Sequence, residues 1–180
     1  MTAPVPRGAL GQESRPNPAT FRTQNGWFDS SASATYLAIS DELQSRWAAR
    51  DDRSFDPYDG LAGAVPSPLE RTRAGRLAVV HLHKRLPFNA RRAWSVAPTK
   101  SAYTVAHFAR ACLLVSRLSS SQSAARAAES RLRWLRHNRV GGGWAYPFDV
   151  QTRTFHYSRA TPNVVCTVFA ANALLDAADT

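Results

Sequence analysis

An all-α fold is what this chain predicts, and three observations carry the expectation. Apolar residues recur at steps of three and four through five separate segments. No stretch alternates with period two for long, Trp144, Tyr146 and Phe148 excepted. Proline and capping residues stand where helices would begin, and glycine where one would stop.

Residues 1–30 are rich in Pro, Gly, Ser and Asn without a sustained period, and read as a flexible lead-in to a helical region over 31–180. From about Ser33 a helix stacks Tyr36, Ile39, Leu43 and Trp47 on one face and ends near Asp51. The run from Phe55 to Gly60 is a turn by composition, since Pro57 pre-sets φ and Gly60 accepts a positive one. Ser67, Pro68 and Glu70 then form a capping-box start, with Leu69, Leu77 and Val80 pointing inward until Pro87. A third helix, about Thr99 to Leu118, lines up Val105, Phe108, Cys112 and Val115, with His107, Arg110 and Arg117 on another face. The fourth, residues 121–138, turns Ala124, Ala128, Leu132 and Leu135 inward and Arg126, Arg133 and Arg136 outward, with a Glu129–Arg133 pair one turn apart. Gly141, Gly142 and Gly143 stop it. Thr161 and Pro162 open the fifth, whose Val164, Val165, Val168, Phe169, Leu174 and Leu175 predict burial on most sides. Helices that alternate between amphipathic and nearly apolar are what outer-and-inner hairpins produce, as in an α/α toroid; an ordinary helical bundle is permitted as well.

The 180 residues are 44% apolar and 20% charged, which suits one folded domain and excludes disorder throughout. Two cysteines outside any C-x-x-C pair make neither a disulfide framework nor a structural zinc site, and both read as buried core thiols in a reducing, cytoplasmic setting. No apolar run is long enough to span a bilayer. The net charge of +10 is uneven: residues 1–60 hold six Arg and eight acids, whereas residues 61–160 hold seventeen Lys or Arg and three acids. Such a block suits a polyanion, but it is first of all a solvated surface.

Two segments point to a family. Asp56-Pro57-Tyr58-Asp59-Gly60-Leu61 with Ser67-Pro68-Leu69 is the first, and Gly143-Trp144-Ala145-Tyr146-Pro147-Phe148-Asp149-Val150-Gln151-Thr152-Arg153 with Thr161-Pro162-Asn163-Val164-Val165 and Ala173-Leu174-Leu175-Asp176 the second. Together, over about Phe55 to Asp179, they resemble a set of bacterial and archaeal α/α-toroid proteins associated with polysaccharide-synthesis genes. That family is similar in shape to terpenoid cyclases, protein prenyltransferases and six-hairpin glycosidases. Ala145 stands where the family has Gly, and Val150 where it has Trp. The resemblance implies a toroid and a polysaccharide setting, with no particular reaction. A closed ring needs about a dozen helices and this chain supplies about five, so the expectation is an incomplete ring: a truncated product, a split protein, or an arc that needs a partner.

The loop before the fifth helix holds the best candidate chemistry, because loops on rigid scaffolds commonly carry function. Asp149 is placed there as a general acid or base, with Arg153 for an anionic group, Trp144 and Tyr146 as sugar-facing aromatics and His156 as a proton carrier. An Asp149–Arg153 pair that merely holds the loop is the structural alternative. Asp59, beside Tyr58 and Asp56, offers a second carboxylate, although Asp also makes turns through its side chain. His81 and His83 lie two apart, which on a helix points them about 200° away from each other, so no metal site is expected. No nucleotide or acyl-transfer motif is present and no cofactor is expected.

These residues suggest a carbohydrate-related α/α-toroid protein, in polysaccharide biosynthesis or modification, whose reaction and catalytic status stay open. An anionic glycan or polysaccharide is the expected ligand. The alternative is a non-catalytic scaffold that docks onto other polysaccharide-synthesis proteins or self-associates through the 162–179 helix. Minor alternatives are a terpenoid-cyclase or prenyltransferase relative, and a nucleic-acid binder using Arg131, Arg133, Arg136 and Arg139.

Overall fold

The computed structural model describes residues 30–179, which divide into a short unit ending at Tyr36 and a larger unit from Leu37 onward. The lead-in expected over residues 1–30 lies outside the described residues except for Ser30, the first residue of helix α1 (Ser30–Ala48). Five further helices follow: α2 (Ser67–Arg71), α3 (Arg73–Arg85), α4 (Ala102–Ser119), α5 (Gln122–His137) and α6 (Val164–Ala178). A 3-10 turn spans Asp59–Ala62. Strands β1 (Val150–Gln151) and β2 (His156–Tyr157) pair antiparallel, Val150 with Tyr157 and Gln151 with His156. The described chain is thus mostly helical with one two-stranded hairpin, an all-α fold as the periodicity predicts.

Helix α4 is central to the larger unit, packing against both α5 and α6. Its buried face, Ala102, Val105, Ala106 and Ala109, meets Leu135 of α5, Trp144 of the following loop, and Cys166, Ala170 and Ala173 of α6. Alanines at these contacts let helix axes approach closely. The expected stripe of α4 is inside: Val105, Cys112 and Val115 are buried and Phe108 half-buried. So is that of α5, where Arg126, Arg133 and Arg136 face out and Arg133 Nη2 meets Glu129 at 2.6 Å.

Three expectations about helix ends and faces are corrected. The capping box at Ser67 does not form, because Pro66 takes the cap position and has no side-chain acceptor. The chain instead breaks at Thr72, whose hydroxyl accepts the Gly75 N–H at 3.1 Å and starts α3 afresh. Thr161 does not cap α6 either. Pro162 is drawn into a bridge with Ala145, so Asn163 becomes the cap and accepts the Cys166 N–H at 2.9 Å. Finally, α6 is not buried on most sides: only Cys166, Ala170 and Ala173 are fully inside, while Val164, Val165, Val168 and Leu175 are exposed. Two helices do not provide enough neighbours to cover a helix that is apolar all round.

Candidate anion and aromatic pocket

The loop between α5 and α6 is shaped by two glycines. Gly141 adopts φ +56°, which lets Val140 and Gly143 exchange both backbone hydrogen bonds. Gly143 lies so close to Thr167 that a Cβ would sit 2.4 Å from its Oγ1. This close approach lets the Trp144 N–H donate to Thr167 Oγ1 at 3.0 Å and directs the indole inward, where Nε1–H donates to the Leu135 carbonyl at 2.8 Å. Trp144 is therefore a buried core residue, and the stacking surface expected of it is used in packing.

Beyond it the chain comes back to the surface. Tyr146 is half-buried, its ring stacked on buried Phe148 at 5.7 Å, and burial pushes its phenol up to about 12. One side of Tyr146 lines an open pocket of about 360 Å3 together with Trp134 of α5, Asn138 at its C-terminal cap, Lys100 just before α4, and Arg159. Asp149 holds Arg159 in place, since its Oδ1 accepts the Arg159 backbone N–H at 2.6 Å, and His156 Nε2 lies 3.8 Å from the other oxygen. The Asp149–Arg153 pair considered above is not formed. Arg153 is exposed, and its carbonyl accepts a hydrogen bond from Arg73 Nη2.

Lys100 is less available than its charge suggests. Its Nζ lies 2.9 Å from Asp51 Oδ1 and 3.8 Å from Asp52 Oδ2, and 5.4 Å from the centre of the Trp134 ring. That ammonium holds the Asp51 carboxyl below its usual range. Both aspartates adopt left-handed φ, 52° and 54°, a conformation non-glycine residues seldom take. The turn is tied down by Arg131 of α5, whose Nη2 reaches Asp52 Oδ1 at 2.7 Å with both side chains buried. Arg131 also donates from Nη1 to Cys112 Sγ at 3.2 Å, and that thiol donates to Gln44 Oε1 at 2.9 Å. Arg131, read from sequence as part of a basic surface, is thus an internal anchor.

Helix α3 is tied to the same loop, since Arg76 Nε donates to Gln151 Oε1 at 2.7 Å. Asp59 is fully buried. Both its oxygens accept from Arg91 Nε, at 2.9 and 3.1 Å, and Oδ2 also accepts the Asp56 N–H. A carboxylate held this way makes a structural ion pair, not an open acid or base. Asp56 is half-buried and uses Oδ1 to accept the Tyr58 N–H at 2.8 Å; burial raises its pKa. Tyr58 is exposed, with Lys84 Nζ 4.3 Å above its ring.

Of the residues singled out by sequence, Tyr146 lines the pocket, Asp149 bonds the backbone of its lining residue Arg159, and His156 lies 3.8 Å from Asp149. Asp59, Trp144, Tyr58 and Arg153 are not among its lining residues. Lys100, Trp134, Asn138 and Arg159 were not foreseen. Two of the four carry a signal in the sequence: Trp134 is the one aromatic on an otherwise arginine- and alanine-rich helix, and Lys100 is one of two lysines beside 21 arginines. Among the described residues no group of three or more His, Cys, Asp or Glu could hold a metal ion, and no helix is long and apolar enough to cross a membrane. Comparison with protein-family models, curated proteins and solved structures finds no match.

Proposed function

We propose that this chain is a carbohydrate-related α/α-toroid arc that binds an anionic glycan in the pocket between Trp134, Tyr146 and Arg159. The observation that supports this reading is the pairing of two aromatic rings with an exposed guanidinium around one open cavity. Sugar rings present C–H faces that pack on aromatic surfaces, and a planar guanidinium matches a carboxylate with two parallel hydrogen bonds. Arg159 supplies the ligand-facing charge, because Lys100 is already engaged by Asp51 and Asp52. Asn138 borders the pocket, but its amide already donates to the Trp134 carbonyl at 2.8 Å, leaving its side-chain oxygen to accept from a sugar hydroxyl.

Binding is favoured over glycoside cleavage on the same geometry. Hydrolysis conventionally uses two carboxyl groups flanking the bond, roughly 5–9.5 Å apart. No carboxylate lines this pocket; Asp59 is consumed by Arg91, and Asp149 by the Arg159 backbone. A role within polysaccharide synthesis or modification rests on the resemblance of the two loop segments.

Titration calorimetry with a uronate-containing oligosaccharide and with its neutral counterpart tests the reading. The anionic sugar is expected to bind, and Arg159→Ala and Trp134→Ala to weaken it at least about tenfold, about 1.4 kcal/mol each. Equal binding of the neutral sugar, or no binding of either, would overturn it.

A further inference from the structure

Lys100 belongs to two structures at once. On one side it lines the pocket beside Trp134. On the other it meets the turn after α1, where its Nζ lies 2.9 Å from Asp51 Oδ1. The Lys100 side chain is 16% exposed and that of Asp51 66%, so a mostly enclosed ammonium is held by a carboxylate at the surface. Asp51 is not among the residues lining the pocket. The backbone fixes where Asp51 points. Its left-handed φ and that of Asp52 persist because the surroundings enforce them. The Asp52 N–H donates to the Trp47 carbonyl at 2.9 Å, and Ser54 exchanges both backbone hydrogen bonds with Thr99, the residue before Lys100. The two aspartates then differ in what they hold. Asp52 has both oxygens on Arg131 and lies 3.8 Å from Lys100, whereas Asp51 makes the close contact and has Arg53 Nε 3.4 Å from its other oxygen.

We propose that Asp51 is a built-in competitor for Lys100, which it holds until an acidic group of the bound glycan takes the ammonium over. This rests on the anionic-glycan reading and adds to it the residue that sets selectivity: a sugar without an acidic group cannot displace a carboxylate. The exchange is physically easy. Lysine carries its charge on a flexible four-carbon stem, so Nζ can turn from Asp51 towards the pocket it already borders. Asp51, once released, is hydrated at the surface and keeps Arg53. A carboxylate against Trp134, inside the pocket, is less screened than one at the surface and attracts the ammonium more strongly. Asp52 does not take the place of Asp51, because its charge is already balanced by Arg131.

Titration calorimetry of the full chain with tri-galacturonate tests this. Asp51→Asn removes the competing charge and keeps a residue that tolerates left-handed φ. It is expected to bind about fivefold tighter than the wild type, and the gain to vanish when Lys100→Gln is added. Binding by Asp51→Asn no tighter than by the wild type would overturn the proposal and leave the glycan reading standing. A gain that survives Lys100→Gln would also overturn it, since the missing charge would then be acting at a distance. Absence of binding by both the wild type and Asp51→Asn would overturn the glycan reading and this proposal together. If the variants fail to fold, carbon NMR of the wild-type chain at pH 7 decides: the Asp51 carboxyl resonance is expected to shift as tri-galacturonate saturates the pocket, and not with galactotriose. A resonance that tri-galacturonate leaves in place would overturn the proposal.

Discussion

Helices α5 and α6 both pack on α4, and they reverse what hydropathy suggests about burial. The arginine-rich α5 is firmly integrated: Ala124, Ala128 and Leu135 are buried, and even Arg131 is taken inside to hold Asp52. The nearly uncharged α6 buries three small residues and exposes its valines. An amphipathic sequence marks which face goes in. A helix apolar all round marks only that more neighbours are needed than α4 and the preceding loop supply.

The sharpest way to break this comparison is Arg131→Ala. It leaves the Asp52 carboxylate buried, with only Lys100 Nζ at 3.8 Å, and should cost about 3–5 kcal/mol, seen as a fall in the urea midpoint. An effect below about 1 kcal/mol would mean that α5 is held by its apolar face alone. Next come two leucines of equal chemistry. Leu135→Ala removes a fully buried side chain and should cost about 2–5 kcal/mol, whereas Leu175→Ala, measured in dilute monomer, should stay within about 0.5 kcal/mol. Equal costs would show that α6 is covered within the single chain.

The caps sharpen the comparison at smaller scale. Asn163→Ala should cost about 1 kcal/mol and Thr161→Ala little, because only Asn163 accepts an N–H of the first turn of α6. The smallest effect is on pH dependence. His107 lies between Tyr103 and Phe169, and burial, with the Arg110 charge second, holds its imidazole below the ordinary value. The unfolded chain then takes up more protons than the folded one. This contribution to stability is complete above about pH 6.5 and is lost as pH falls below it towards the folded value. Melting curves between pH 7 and 5 should show that slope, and His107→Gln should flatten it.

How much of the site was legible can be followed residue by residue. Tyr146 and Asp149 stood out because an aromatic and acidic run after three glycines reads as a shaped loop. Their surroundings could not be read in the same way. Trp144 and Trp134 are both tryptophans near the same loop, yet one donates its indole N–H to the Leu135 carbonyl inside and the other lines the pocket. Asp56 and Asp59 are three residues apart in one turn, yet Arg91, 32 residues farther along, takes possession of the second.

The sequence by itself determined the helical class, the stripes of α4 and α5, the glycine stop and the exposed arginines, because 3.6-residue periodicity and turn chemistry act over a few neighbouring residues. Tertiary structure alone decided where α6 begins, which carboxylates are locked in ion pairs, and that Arg131 goes inside while Val164, Val168 and Leu175 stay out. Those outcomes depend on partners distant in sequence, such as Asp52, 79 residues from Arg131, and Ala145, 17 residues from Pro162. A residue's own hydropathy states the free energy of burying it, and only the packed neighbours determine whether there is anything to bury it against.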